Sequence, residues 1–193
     1  MDFTRLVGNR SSRNGTRPRL MVLHTTEGDN HQGIRDLEGL AGWFDNPAAQ
    51  ASSHIGIDAE GNCVRMVPDD EKAWTQGNHN PFCLSIEQVG HAHFTRRFWI
   101  LRYRRGHNRV AKQLAQWSIK YDIPLAHSTS HGVCEHVEIS GPGGHTDCGP
   151  GYPLKYVLWR AKRHKLLMTR GRPALARHFL HLINAAVRRA ERA

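Results

Sequence analysis

A glycine- and proline-rich stretch over residues 136–150, HVEISGPGGHTDCGP, constrains the fold of this chain more than any other feature. Proline lacks the N–H that a helix interior requires and glycine favours turns, so the stretch is predicted to be a loop. It contains His136, His145 and Asp147, with Cys148 beside the carboxylate. Such a loop can fold back and direct His136 and Asp147 at one point, with the nitrogen and oxygen donors that a catalytic zinc ion uses. Two ligands do not hold such an ion, so a third is expected elsewhere in the chain.

The best candidate for the third ligand is His24, at the end of the apolar run over residues 20–23. The chain has 14 histidines in 193 residues, so one histidine alone carries little information. Taken by itself, His24 is read as an ordinary histidine at a strand end. Combined with His136 and Asp147, it completes a three-ligand zinc site that leaves one position for water, which is typical of a zinc hydrolase.

Two further residues are candidates for catalysis. Glu87 interrupts an otherwise apolar segment and is predicted to orient water and pass its proton to a leaving nitrogen. The alternative is a carboxylate that faces solvent at a strand end. His145 is predicted to donate a hydrogen bond to the oxyanion. For this residue, a role as a further histidine ligand or as a plain loop residue stays open.

Composition limits the remaining possibilities. A hydrophobic fraction of 39% is enough for one domain with a real core, and no apolar run is long enough to cross a bilayer. Four widely spaced cysteines without a CxxC pair argue against a disulfide framework and a zinc finger. Most are expected to be buried thiols, with Cys148 the exception because of its neighbours. The first twenty residues lack a secretory signal pattern. We therefore expect synthesis in the cytoplasm and action on its target after release.

The formal net charge of +10 favours polyanionic partners, namely nucleic acid, an anionic membrane or the acidic polymers of a bacterial wall. Nucleic-acid binding requires basic residues interleaved with aromatic residues on a recognisable module, and no such module is found, so this class is excluded. Much of the charge lies after residue 155. The basic C-terminal segment is predicted either to pack on the domain or to attach it to an anionic wall polymer or membrane surface.

Apolar periodicity predicts the elements. Strands are predicted over residues 20–24, 52–58, 63–67 and 82–89, and helices over 33–44, 108–121 and from 154 onwards. Strands interleaved with helices indicate an α/β fold with a mixed central β-sheet flanked by helices. The predicted organisation is an N-terminal arm (1–19), a zinc-binding domain (20–166) and a basic amphipathic C-terminal helix (167–193).

Five segments in this order carry a family resemblance: VLHTTEG with His24, ASSHIGID with His54, AWTQGN with Trp74, SIE with Glu87, and His136 followed by HTDCGP. Over residues 20–160 the chain resembles the type 2 N-acetylmuramoyl-L-alanine amidases, a family that includes phage endolysins and peptidoglycan recognition proteins. The resemblance implies a zinc ion held by His24, His136 and Asp147, with Glu87 as catalytic partner. It also implies peptidoglycan as substrate and hydrolysis of the amide between the lactyl group and L-alanine. The main rival is a non-catalytic peptidoglycan-binding module, whose signature is a missing ligand.

Two positions depart from the family pattern. A lysine often stands where this chain has His145, and the usual Asp-Pro-Gly-Pro reads Asp147-Cys148-Gly149-Pro150. Thiolate binds zinc well, so Cys148 is a possible competitor of Asp147. His54 is expected near the metal as a partner of its ligands. A further set is expected to line a groove for sugar or peptide, with packing as the alternative for the tryptophan: Trp74, Gln76 and Asn78.

Overall fold

The computed structural model describes residues 1–28, 33–141 and 144–170. Eight strands are described: β1 Asp2–Thr4, β2 Arg10–Ser12, β3 Leu20–Thr25, β4 Ile55–Ile57, β5 Cys63–Arg65, β6 Glu71–Ala73, β7 Cys83–Gln88 and β8 Gly132–Glu135. The helices are α1 Ile34–Asp45, α2 Arg96–Arg102, α3 Arg104–Tyr121 and α4 over residues 154–170. Short 3-10 turns cover Pro47–Ala49, Gly77–Phe82 and His136–Glu138.

Six strands form a mixed sheet in the order β1-β5-β4-β7-β3-β8. The three strands β7, β3 and β8 run parallel, and every residue of β3 is buried. A central parallel strand is covered on both faces, which explains why residues 20–23 are continuously apolar instead of alternating. The arrangement confirms the predicted α/β fold with a mixed sheet flanked by helices.

Helices cover both faces of this sheet. On one face α1 buries Leu37 and Ala41 in a cluster with Val64 and Met66. Gly56 lets α1 approach closely, because a Cβ there would lie 2.9 Å from a methyl group of Leu40. On the other face, α3 and α4 pack against β4 and β7 in the larger core cluster. The sheet is therefore held rigidly between two apolar layers, as a site at its edge requires.

The predicted N-terminal arm is wrong as a description of residues 1–19. Strand β1 pairs in parallel with β5, and β2 pairs antiparallel with β6 in a separate two-stranded sheet. Val7 and Arg13 are buried. Each strand has only three residues and pairs with a segment about 60 positions away, so no local apolar pattern marks it.

Arg13 anchors the segment that follows β6. Its guanidinium is almost fully buried and donates hydrogen bonds to four backbone carbonyls and to the ring of His54. The carbonyls belong to Asp69, Asn80, Pro81 and Cys83. A buried cation is tolerated only when its donors are satisfied, and here this requirement fixes the course of residues 69–83.

The predicted strands and helices are found within a few residues of their expected bounds. Five described elements were not predicted: β1, β2, β6, β8 and α2. Helix α4 continues to residue 170, and the rest of the predicted C-terminal helix (167–193) lies outside the described residues. Among the described residues, no helix is long and apolar enough to cross a membrane. All four cysteines are buried and free. This was expected for most of them, whereas Cys148 was expected to be the exception.

Candidate metal centre

Three neighbouring parallel strands bring the candidate residues to one edge of the sheet. His24 lies directly opposite Glu87 in the register of β3 and β7. Strand β8 pairs Glu135 with Leu23, so His136 follows at the same edge. Parallel strands end together, which is why residues more than 100 positions apart in sequence meet here. The site is therefore built on rigid strand ends, and a single loop must add the carboxylate.

The loop that follows β8 carries Asp147 back to this edge. The carbonyl oxygen of Asp147 accepts a hydrogen bond from the backbone N–H of Val137 at 2.7 Å. Its carboxylate oxygen Oδ2 accepts a longer one, at 3.4 Å, from the backbone N–H of Thr25. The fold-back expected from the glycine- and proline-rich sequence thus takes place, with its end tied to both β3 and the turn after β8.

His24, His136 and Asp147 converge on one point. Nδ1 of His24 lies 3.3 Å from Oδ2 of Asp147, and Nδ1 of His136 lies 3.2 Å from Oδ1. One ligand atom from each residue lies within 4.8 Å of the others, and all three side chains are buried. Zinc ligands at about 2.0–2.2 Å in a tetrahedron are roughly 3.3–3.6 Å apart, close to the two distances to Asp147, and the donor types also fit zinc. These three residues can hold a metal ion.

The charge states of two donors suit a cation. Burial lowers the pKa of His24 to about 4, although the hydrogen bond to Asp147 opposes this shift, so the ring is neutral at neutral pH and has a free lone pair. Burial by itself would raise the pKa of Asp147, but hydrogen bonds from His136 and His24 outweigh it and hold the pKa below its ordinary value. The carboxylate is therefore ionised. Neutral imidazole and ionised carboxylate are the forms that bind a metal.

Glu87 lies beside this group, with Oε1 4.0 Å from Nδ1 of His24. Its carboxyl group is buried, and Oε2 has no hydrogen-bond partner within residues 1–28, 33–141 and 144–170. Burial, and next the charge of Asp147, raise the pKa of Glu87 to about 8. The solvent-facing alternative is wrong, because the side chain is only 10% exposed. A buried carboxyl group with a free oxygen is available to exchange a proton with a molecule in the cavity.

His145 and Cys148 differ from the three ligands in where they lie. The His145 ring stacks on that of His136 at 3.9 Å between centroids, and its side chain is 64% exposed at the mouth of the site. Cys148 points into the main apolar core, where its sulfur lies 3.8 Å from the Gln88 amide nitrogen. Burial raises the pKa of the Cys148 thiol well above its ordinary value. Competition by Cys148 for the metal is not supported by this geometry.

The residues expected to line a groove occupy three different places. Trp74 is half-buried, and its indole N–H donates to Ser11, while the side chain also lines the metal-site cavity. Asn78 is exposed and outside the cavity lining. Gln76 is instead buried against a predicted ligand, with its amide nitrogen 3.1 Å from Nε2 of His24. The sequence predicted that Gln76 lies near the site, but not that it contacts His24.

The expected position of His54 is wrong. Its ring is buried between Arg13 and Ser85 and forms hydrogen bonds with Arg13, Ser85 and the Glu71 carbonyl, none of them a predicted ligand. Burial and the neighbouring Arg13 charge lower the pKa of His54 to about 3. His54 therefore supports the fold behind the site instead of a metal ligand.

His24, His136 and Asp147, which we call the metal group, lie in a cavity of about 300 Å³ that continues towards α1. Trp43 and Leu40 line both this cavity and a neighbouring groove of about 720 Å³. Trp43 is 59% exposed, and sequence analysis did not single it out. The available signal was a large aromatic residue on the polar side of an amphipathic helix. The groove offers room for an extended substrate beside the metal group.

Comparison with known proteins agrees with this geometry. The model of the N-acetylmuramoyl-L-alanine amidase family matches residues 14–151, which is most of the chain. The chain belongs to this family. The match confirms the predicted resemblance and includes all five candidate site residues: His24, Glu87, His136, His145 and Asp147.

Individual relatives of this amidase-family chain match it over a shorter segment or at low sequence identity. It is 36% identical over 73 residues to N-acetylmuramoyl-L-alanine amidase A of Achromobacter lyticus, and this match spans 37% of each protein. The structure of Staphylococcus aureus hydrolase AmiA with its ligand has a TM-score of 0.69 at 19% identity, with 89% of this chain and 86% of that chain covered. The endolysin amidase LysCS of Clostridium intestinale has a TM-score of 0.58 at 14% identity, covering 84% and 95%. At these identities the two structures support the shared fold.

Proposed function

We propose that this chain is a zinc-dependent amidase that hydrolyses the bond between the lactyl group of N-acetylmuramic acid and L-alanine of the peptidoglycan stem peptide. The observation that carries the proposal is the convergence of the buried side chains of His24, His136 and Asp147, with Glu87 beside them. Membership of the amidase family supports the bond type. When bound, zinc supplies Lewis acidity that strengthens water as a nucleophile and polarises an amide carbonyl.

The proton transfers fall to Glu87 in this proposal. In its ionised form, the buried carboxyl group takes a proton from the attacking water and returns it to the nitrogen of L-alanine as the amide bond breaks. Because Oε2 has no protein partner among the described residues, it is available for this exchange. His145, at the exposed mouth of the site, donates a hydrogen bond to the oxygen on which negative charge develops.

Substrate recognition is assigned to the groove that joins the metal cavity. Trp43 and Leu40 provide apolar contact at the junction, and Arg35 provides a cation further along. A muramyl peptide has an amide bond between a sugar and a chain of amino acids. We infer that either the sugar or the peptide lies in the groove while the amide bond reaches the metal group.

Mass analysis of digested peptidoglycan tests the proposal. Incubation of purified cell walls with the protein should release peptides with new L-alanine amino ends and leave free lactyl groups on the glycan. His136→Ala is the matched control. New reducing sugar ends would indicate a glycosidase, and wall binding without any new ends would indicate the non-catalytic binding module.

We also infer that the enzyme lyses bacterial cells in the manner of a phage endolysin. The shared fold with the Clostridium intestinale endolysin amidase supports this role. Addition of the protein to permeabilised bacteria should lower their turbidity, and Glu87→Gln should not. A stable cell suspension, despite cleavage of isolated walls, would restrict the enzyme to wall turnover.

Electrostatic attachment to an anionic wall polymer is the last part of the proposal. The sequence after residue 167 is basic. Among the described residues, a cleft of about 580 Å³ lies over α3 and α4. We call it the basic cleft, and its cationic side chains are Arg104, Arg105, Arg109, Lys112 and Arg160. Glu60 is the acidic residue of the lining, so the positive charges dominate and favour a polyanion.

A further inference from the structure

The second ring nitrogen of His24 has a partner of its own. Nδ1 faces Asp147 and Glu87, whereas Nε2 lies 3.1 Å from the side-chain amide nitrogen of Gln76. The Gln76 side chain is buried, and its amide oxygen Oε1 has no hydrogen-bond partner in the described parts of the chain. An unpartnered buried oxygen is costly, so this amide requires an explanation.

The chemistry of imidazole determines which end of the amide must face the ring. A neutral imidazole carries one N–H, and a nitrogen that binds a metal must offer its lone pair. Because Nδ1 faces the carboxylate of Asp147, another predicted ligand, Nε2 of His24 must carry the hydrogen when a metal is bound through Nδ1. In that tautomer an amide N–H at 3.1 Å would set two donors against each other. A half-turn of the nearly symmetric amide puts Oε1 in its place, where it accepts the hydrogen bond.

The backbone of Gln76 is held firmly enough for this task. The backbone N–H groups of Thr75 and Gln76 both donate to the side-chain oxygen of Asn80, at 3.0 and 2.6 Å. The Thr75 hydroxyl donates to the carbonyl of Ser52 at 2.7 Å. The buried guanidinium of Arg13 in turn binds the carbonyls of Asn80 and Pro81. Two separate anchors therefore direct the Gln76 side chain at His24 on β3.

We propose that Gln76 is a positioning residue: in the metal-bound protein its Oε1 accepts a hydrogen bond from Nε2–H of His24 and fixes the ring with Nδ1 towards the metal. The proposal rests on the metal site of the proposed function. Hydrogen bonds of this kind orient the ring and set its tautomer, and their loss typically weakens metal binding about 10- to 100-fold. Gln76 thus acts through His24 and does not touch the substrate amide in this assignment.

Zinc affinity of the apo protein tests the proposal without any substrate. Competition with a chromophoric chelator should show zinc binding weakened about 10- to 100-fold in Gln76→Met, which keeps the length and removes the acceptor. Gln76→Glu retains an acceptor and should bind zinc at least tenfold more tightly than Gln76→Met. Gln116→Met makes the same chemical change on an exposed position of α3 and should leave the affinity unchanged.

Nitrogen-15 NMR of histidine-labelled, zinc-loaded protein provides the second readout. The hydrogen of His24 should be found on Nε2 in the wild-type protein, with a hydrogen-bonded shift that is lost in Gln76→Met. Wild-type zinc affinity in a folded Gln76→Met protein, or equal losses in Gln76→Met and Gln76→Glu, would overturn the proposal. Zinc binding that depends on Gln76 but produces no amide cleavage would refute the proposed function alone.

Discussion

The candidate metal centre and the basic cleft are both charged depressions, yet they are built in opposite ways. At the metal centre, donors from β3, the turn after β8 and the following loop are buried and lie within 4.8 Å of one another. In the basic cleft the cations lie on α3 and α4, and several have local partners: Arg105 pairs with Glu60 and Arg109 with Asp2. Buried donors that converge specify one small ligand, whereas dispersed exposed cations attract any polyanion. A single substitution should therefore abolish metal binding or hydrolysis at the candidate metal centre, but only weaken polymer binding in the basic cleft.

The largest effect is expected from the loss of a ligand. His136→Ala removes one of three donors, and two ligands do not hold the ion, so both zinc content and hydrolysis should fall to background. Metal analysis of the purified protein and the release of L-alanine amino ends measure the two quantities. Full zinc content in this variant would remove His136 from the ligand set.

Next in size is the loss of the proton-transfer group. Glu87→Gln keeps the shape of the side chain and removes its basicity, so turnover should fall by about 10²- to 10⁴-fold while zinc content stays at the wild-type level. Steady-state hydrolysis and metal analysis on the same preparation separate the two effects. Unchanged turnover would assign the proton transfer to another group.

The contrast between buried and exposed charge can be tested with two arginines. Arg13→Met leaves buried backbone carbonyls without donors and should lower the free energy of unfolding by about 1–3 kcal/mol. Arg104→Met changes an exposed residue of the basic cleft and should stay within about 0.5 kcal/mol of wild type. Urea denaturation measures both. Equal losses would show that burial does not distinguish the two regions.

The smallest effect is expected from single charges in the basic cleft. Lys112→Gln should weaken binding to anionic wall polymer roughly fivefold at low salt, because one cation near an anionic surface contributes about 1 kcal/mol. The difference should shrink as salt screens the charges. Pelleting with cell walls at two ionic strengths measures it, and Gln116→Met is a neutral control on the same helix. A salt-independent loss would indicate a specific contact in place of general attraction.

The sequence predicted the metal centre better than its surroundings. His24, His136 and Asp147 could be selected because each stands at a recognisable strand end or loop and because the set is ordered along the chain. Strands β1 and β2 could not be predicted, because they have three residues each and pair with distant segments. His54 was assigned to the metal from strand alternation alone. Its actual partner, Arg13, lies 41 positions away in the sequence.

By itself, the sequence determined the α/β fold, the loop over residues 136–150 and the donor types that such a loop can offer, because apolar periodicity, glycine and proline act locally. Only the tertiary structure decided which groups face one another. The parallel register places Glu87 beside His24, the core takes up Cys148, and the Arg13 anchor turns Gln76 towards His24. These contacts depend on packing between distant segments, and local sequence patterns do not encode them.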